Sequence, residues 1–64
     1  METQDFKVGW KVKIVGHRNP DYDGLEGYVE VVARHIIVVG VPKDEDSYDV
    51  FNCMSHELIV LDKG

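Results

Sequence analysis

Residues 21–32 read "DYDGLEGYVEVV", and the reading of this stretch decides the fold. Two acids and a tyrosine come first, then Gly24 and Gly27 three residues apart, then an alternating apolar run. Glycine lacks a Cβ and tolerates φ > 0, so such a pair ahead of a strand marks a sharp bend or a close approach of backbones. Beyond the bend, residues 27–33 predict a strand. Alternate strand residues point to opposite faces, so Val29 and Val31, with Ala33, are expected to face inward and Tyr28 and Glu30 outward.

Working upstream, "FKVGWKVKIV" at residues 6–15 alternates more plainly. Phe6, Val8, Trp10, Val12 and Ile14 share one parity and Lys7, Lys11 and Lys13 the other, which predicts a first strand with an apolar inner face and a lysine-lined outer face. Between the two strands lies "GHRNPDYDG", residues 16–24, whose Asn19, Pro20 and flanking glycines read as a loop. It is longer than a tight hairpin, so it either folds over the body or projects from it. Tyr22 is expected to sit exposed at its tip.

Downstream, "HIIVVGV" at 35–41 is continuously apolar, as suits a central strand covered on both faces. "PKDEDS" at 42–47 is an acidic turn, and "YDVFNC" at 48–53 a fourth strand. "MSHEL" is a short turn or 3₁₀ piece leading into a last strand at 58–62. No window keeps apolar residues at helical spacing over three turns. Eleven Val and four Ile against three Leu and one Ala point the same way, since β-branched side chains suit a pleated surface. Five short strands in one domain predict an all-β fold, a small barrel or a pair of orthogonal sheets.

Sixty-four residues make a single domain with a small core. The lone Cys53 cannot close an internal disulfide, and with no cysteine framework a reduced, cytoplasmic setting is expected. The N-terminus has neither a basic nor an apolar signal segment, and the run Ile36 to Val41 is far too short to span a bilayer, so no membrane contact is expected. Seven Lys and Arg against twelve Asp and Glu give a net charge of −5, which repels nucleic acid at long range. The chain opens on Met and stops two residues past its last expected strand, as a complete small product would.

From Gly9 to Val31 the order Gly-x-x-Val-x-Ile-Val-Gly, a loop, then Gly-Leu-Glu-Gly-x-Val-x-Val resembles the KOW motif of SH3-like barrels. The resemblance covers the first half of the chain in detail and the second half by strand count. It implies a five-stranded SH3-like barrel over residues 1–64, with a short turn or 3₁₀ piece before the last strand. Nucleic-acid-binding relatives commonly carry a basic residue just before the paired glycines. Here that position is Asp23, with Asp21 and Glu26 beside it, and a carboxylate there repels a phosphate. The fold therefore carries over more safely than RNA binding.

Two surfaces compete for a function. The acids Asp21, Asp23 and Glu26, with Asp44, Glu45, Asp46 and Asp49, and the exposed Tyr22 form a candidate surface for docking on a larger protein. Their separation from the lysines predicts an electrically bipolar molecule, and complementary patches steer association. The rival is a nucleic-acid stripe made of Lys7, Lys11, Lys13 and Arg18, whose few phosphate contacts would be weak and salt-sensitive. Lysines on a strand's solvent face also discourage edge pairing, a purely structural role.

No metal or cofactor is expected. Cys53-x-x-His56 offers two ligands where structural zinc takes four, and His17, Asp21 and Asp23 lack the ligand alternation of a calcium loop. One cysteine and three scattered histidines make no nucleophile-and-base arrangement. The reading is a non-enzymatic binding module, a small acidic regulator of the accessory or phage-encoded kind by analogy. It is expected to be a monomer or a weak homo-oligomer. Among the aromatics, Tyr22 at the loop tip and Tyr28 on an outward position are placed to contribute to a peptide groove, while Trp10 shares parity with the core.

Overall fold

Five strands follow one another: β1 Lys11–Ile14, β2 Glu26–Val32, β3 Ile37–Asp44, β4 Ser47–Cys53 and β5 Leu58–Asp62. In the computed structural model, which describes residues 2–64, they form one antiparallel sheet in the order β4-β3-β2-β1-β5. The first four run up and down, and β5 returns to the far side of β1, with Ile14 opposite Leu58 and Lys13 opposite Ile59. A 3₁₀ turn, Ser55–Glu57, leads into β5 as the sequence predicts.

β2 lies between β1 and β3, and its two ladders overlap at Tyr28, which faces Lys11 on one side and Gly40 on the other. Its start pairs with β1, Glu26 opposite Lys13 and Gly27 opposite Val12. Its end pairs with β3, Tyr28 opposite Gly40 and Val32 opposite Ile37. The two glycines of the opening stretch therefore do different things. Gly24 has φ +90° and turns the chain, donating its N–H to the Ile14 carbonyl at 2.7 Å. Gly27 is buried, and a Cβ there would collide with the Gly40 carbonyl oxygen and stand 2.9 Å from Val41 Cγ2. The close approach is thus to β3 and not to the first strand.

The core gathers Phe6, Val12, Ile14, Val29, Ile37, Val39, Cys53 and Leu58, with Trp10, Tyr22, Phe51 and Val60 among those packed against it. Each fully buried aliphatic or aromatic side chain contributes about 1.5–3 kcal/mol. Trp10 is half-buried, as its parity implies, and Lys63 Nζ stands 5.3 Å from its ring centroid.

Several expectations are corrected. The first strand does not span 6–15: Gly9 takes φ +94° in a turn, so Val8 is thrown out to 66% exposure and regular pairing begins at Lys11. Val31 faces solvent, because Val29 opposes Val39 while Val31 opposes Val38. Glu30 is thus an extra residue, and a bulge of this kind reverses the parity that follows it. β3 is fully buried on one face, with Ile37 and Val39 inward, and only partly covered on the other, where Val38 is half-buried, Gly40 lies beneath Glu30 and Pro42 is exposed. It also runs through Pro42 to Asp44, leaving Glu45 and Asp46 as a two-residue turn. The proline is tolerated because the β2 ladder has ended at Gly40, so Pro42 pairs with β4 alone. The barrel is not closed by hydrogen bonds: among the described residues β4 and β5 share no ladder, and both remain edges.

Candidate functional site

The outer face of β3 forms the floor of an open groove of about 510 Å³. Its floor residues are Gly40 and Pro42, with Tyr28 of β2 opposite Gly40 and Tyr48 of β4 opposite Pro42. Both tyrosines are exposed, at 45% and 58%. Gly40 keeps the floor low. A Cβ there would stand 2.7 Å from Glu30 Oε1, so the Glu30 side chain lies in the space that the glycine leaves free. Asp44, Glu45, Asp46 and Ser47 close the end of the groove, and the Ser47 hydroxyl donates to Asp44 Oδ1 at 3.0 Å. Four carboxylates thus surround two aromatic rings, and no lysine or arginine lines the groove. Among the described residues the one ion pair lies elsewhere, Lys11 Nζ to Glu26 Oε1 at 3.7 Å.

The other acidic segment is built differently. Asp23 accepts the Gly16 N–H at 2.9 Å, the Asp21 N–H donates to Asn19 Oδ1 at 3.0 Å, and Glu26 carries the ion pair. Tyr22 is not the exposed tip that the loop predicts. It is half-buried, its ring 4.4 Å from that of Phe51 and 5.0 Å from that of His17, because folding the loop back hides apolar ring surface. The Asn19 N–H donates to His17 Nδ1 at 3.0 Å and helps close the loop. None of Asp21, Tyr22, Asp23 or Glu26 lines the groove, whereas Asp44, Glu45 and Asp46 all do.

The lysines do not form an isolated stripe. Lys7 and Arg18 are exposed, and Lys11 and Lys13 half-exposed on β1. Lys13 lies opposite Glu26 and Lys11 opposite Asp62 in register. The expected bipolar segregation is therefore corrected on this face, where acids and lysines interleave across β5, β1 and β2.

Cys53 is buried, and its thiol is pushed up from 9.0 to about 11, first by burial and then by the nearby negative charge of Glu57. That keeps it protonated at neutral pH and a poor nucleophile. Glu57, itself buried, accepts the Met54 N–H at 2.8 Å. Among the described residues no three His, Cys, Asp or Glu side chains gather as a metal site. No described helix is long and apolar enough to cross a membrane.

Sequence reasoning placed Asp44, Glu45 and Asp46 on an acidic turn but did not join them to Tyr28, Glu30, Gly40, Pro42 and Tyr48. The outward parity of Tyr28 and Glu30 was visible; their register against β3 and β4 was not. No protein-family model, curated protein or solved structure matches the chain.

Proposed function

We propose that the protein is a non-enzymatic, SH3-like interaction module that docks on a larger protein through the groove between β2, β3 and β4. The observation that carries this reading is the pair of exposed rings, Tyr28 and Tyr48, on a glycine and proline floor ringed by carboxylates without cationic partners. Tyrosine exposed in a groove suits protein contact, offering apolar area and a polar tip at little entropic cost. The return of β5 beside β1, and the place of β2 between β1 and β3 with both ladders meeting at Tyr28, support the KOW-like, SH3-like arrangement. The high thiol pKa of Cys53 supports binding over chemistry.

Capture from native lysate, with and without nuclease, tests the reading when three proteins are compared. A protein retained by the wild type and by Asp21→Lys, but lost on Asp44→Lys/Asp46→Lys, would support it. Retention unchanged by the hairpin reversal would sink it. Retained RNA that disappears with nuclease and on Lys11→Ala/Lys13→Ala would replace it with the nucleic-acid reading.

A further inference from the structure

The docking groove has a chemistry specific enough to name its occupant. We infer that it takes an arginine side chain from an extended segment of the partner, laid along β3 between Tyr28 and Tyr48 and paired with the Glu30 carboxylate. The inference rests on the docking reading above and goes further by choosing the ligand.

Three features converge on a guanidinium. The first is shape. Tyr28 and Tyr48 stand on the strands either side of β3, whose axes lie about 10 Å apart at ordinary strand spacing. Tyr28 stands opposite Gly40 and Tyr48 opposite Pro42, and the side chain lying over Gly40 is that of Glu30, so the two rings flank an open trough with a carboxylate at its base. A planar cation laid in this trough can stack on an exposed ring face while it meets the carboxylate.

The second is the placement of Glu30. It is the extra residue of the β2 bulge, and bulges re-aim side chains. Here the side chain is laid over Gly40, with its Oε1, Cγ and Cδ 2.7, 3.0 and 3.2 Å from where a Cβ would stand. The carboxylate is thereby held low in the trough, where a guanidinium can meet it through two parallel N–H donors.

The third is charge. Asp44, Glu45 and Asp46 add to Glu30 at the closed end, and Lys43, the nearest base in sequence, does not line the groove. It is the extra residue at the register shift between Pro42 and Asp44. A cation is the complement. An ammonium would satisfy the charge, but only a guanidinium both stacks flat on a ring face and meets the two-oxygen carboxylate through paired donors.

The test is a titration of the isotope-labelled protein with the peptide acetyl-Gly-Arg-Gly-Arg-Gly-amide, followed by amide chemical shifts. Two further peptides carry lysine or citrulline in place of arginine. Shifts are expected to concentrate at Tyr28 to Glu30 and Gly40 to Tyr48, with arginine binding about two- to fivefold tighter than lysine, the size of an exposed cation–π contribution, and citrulline not binding. Glu30→Gln and Tyr48→Ala alter exposed side chains, and each is expected to weaken the arginine peptide by a similar factor. Equal binding of the arginine and lysine peptides, or shifts centred on residues 21–26, would overturn the inference. A partner still captured by Glu30→Gln/Tyr48→Ala, yet lost on hairpin charge reversal, would overturn the arginine assignment alone and leave the docking reading standing.

Discussion

The two acidic segments of this chain have nearly the same composition and opposite fates. In residues 21–26 two of the three acids are engaged locally, Asp23 accepting the Gly16 N–H and Glu26 pairing with Lys11, and Tyr22, just ahead of Asp23, packs on Phe51. In residues 44–48 the acids ring an open groove and Tyr48 stands in solvent. The difference follows from connection length. The long β1–β2 loop spans an open side of the core and must cover it, so its polar groups are recruited to close the loop. The two-residue β3–β4 turn has nothing to cover, so Asp44 only accepts the Ser47 hydroxyl across it and the charges of Glu45 and Asp46 remain outward. Acidic residues in a small domain are thus either fasteners or lures, according to what their loop has to close.

The sharpest way to break this comparison is at the seam between the regions. Gly27→Ala places a methyl against the Gly40 carbonyl and Val41, and is expected to cost about 2–3 kcal/mol by urea denaturation, the scale of overpacking. A loss below about 0.5 kcal/mol, no more than an indifferent surface change, would mean that the crossing at Gly27 is not tight.

The contrast also runs along β4, whose outer Tyr48 and Val50 are exposed while Cys53 is buried. Raised from 9.0 to about 11 in the folded protein, the thiol holds its proton more tightly folded than unfolded. Its contribution is complete below pH 9 and is lost as pH climbs through 11, at most about 2–3 kcal/mol at 1.36 kcal/mol per pH unit. Thermal melts from pH 8 to 11.5 should fall more steeply for the wild type than for Cys53→Ala. Parallel curves would remove the thiol from the alkaline limit.

Paired substitutions sharpen the comparison directly. Tyr22→Ala is expected to cost about 2 kcal/mol through lost ring packing, and Tyr48→Ala less than about 0.5 kcal/mol, as an exposed position should. Similar losses at both would erase the distinction between the two segments. The smallest effect belongs to the Lys11–Glu26 pair, whose side chains are 41% and 50% exposed. Glu26→Gln should change stability by no more than about 0.5 kcal/mol, and that little should disappear in 1 M salt, where the Debye length shrinks to roughly 3 Å.

Much of the fold was legible where alternation is uninterrupted. Val12 and Ile14 bury as their parity requires, β5 occupies 58–62, and the 3₁₀ turn precedes it. Legibility failed where one residue resets the period. The turn at Gly9 expelled Val8, and the extra residue Glu30 reversed Val31. Neither is visible locally, because a bulge is a relation between two strands and a sequence window holds only one. Tyr22 failed for the complementary reason: the pull on its ring comes from Phe51, twenty-nine positions away in sequence. The groove shared this obstacle. Its acids were legible as a turn, but the opposition of Tyr28 to Gly40 and of Tyr48 to Pro42 exists only once three strands are in register.

The position of β1 between β2 and β5 bears on how the chain is made. As residues leave the ribosome in order, β1 to β4 can assemble while β5 is still to come, so the second side of β1 waits unpaired through the rest of synthesis. An open strand edge on a nascent chain invites pairing with its neighbours on the same message. The half-exposed Lys11 and Lys13 on that strand make such an encounter one of like charges, and so guard the vacancy until Leu58–Asp62 arrives to fill it. Replacing them would then be felt less by the finished protein than by the yield of its translation.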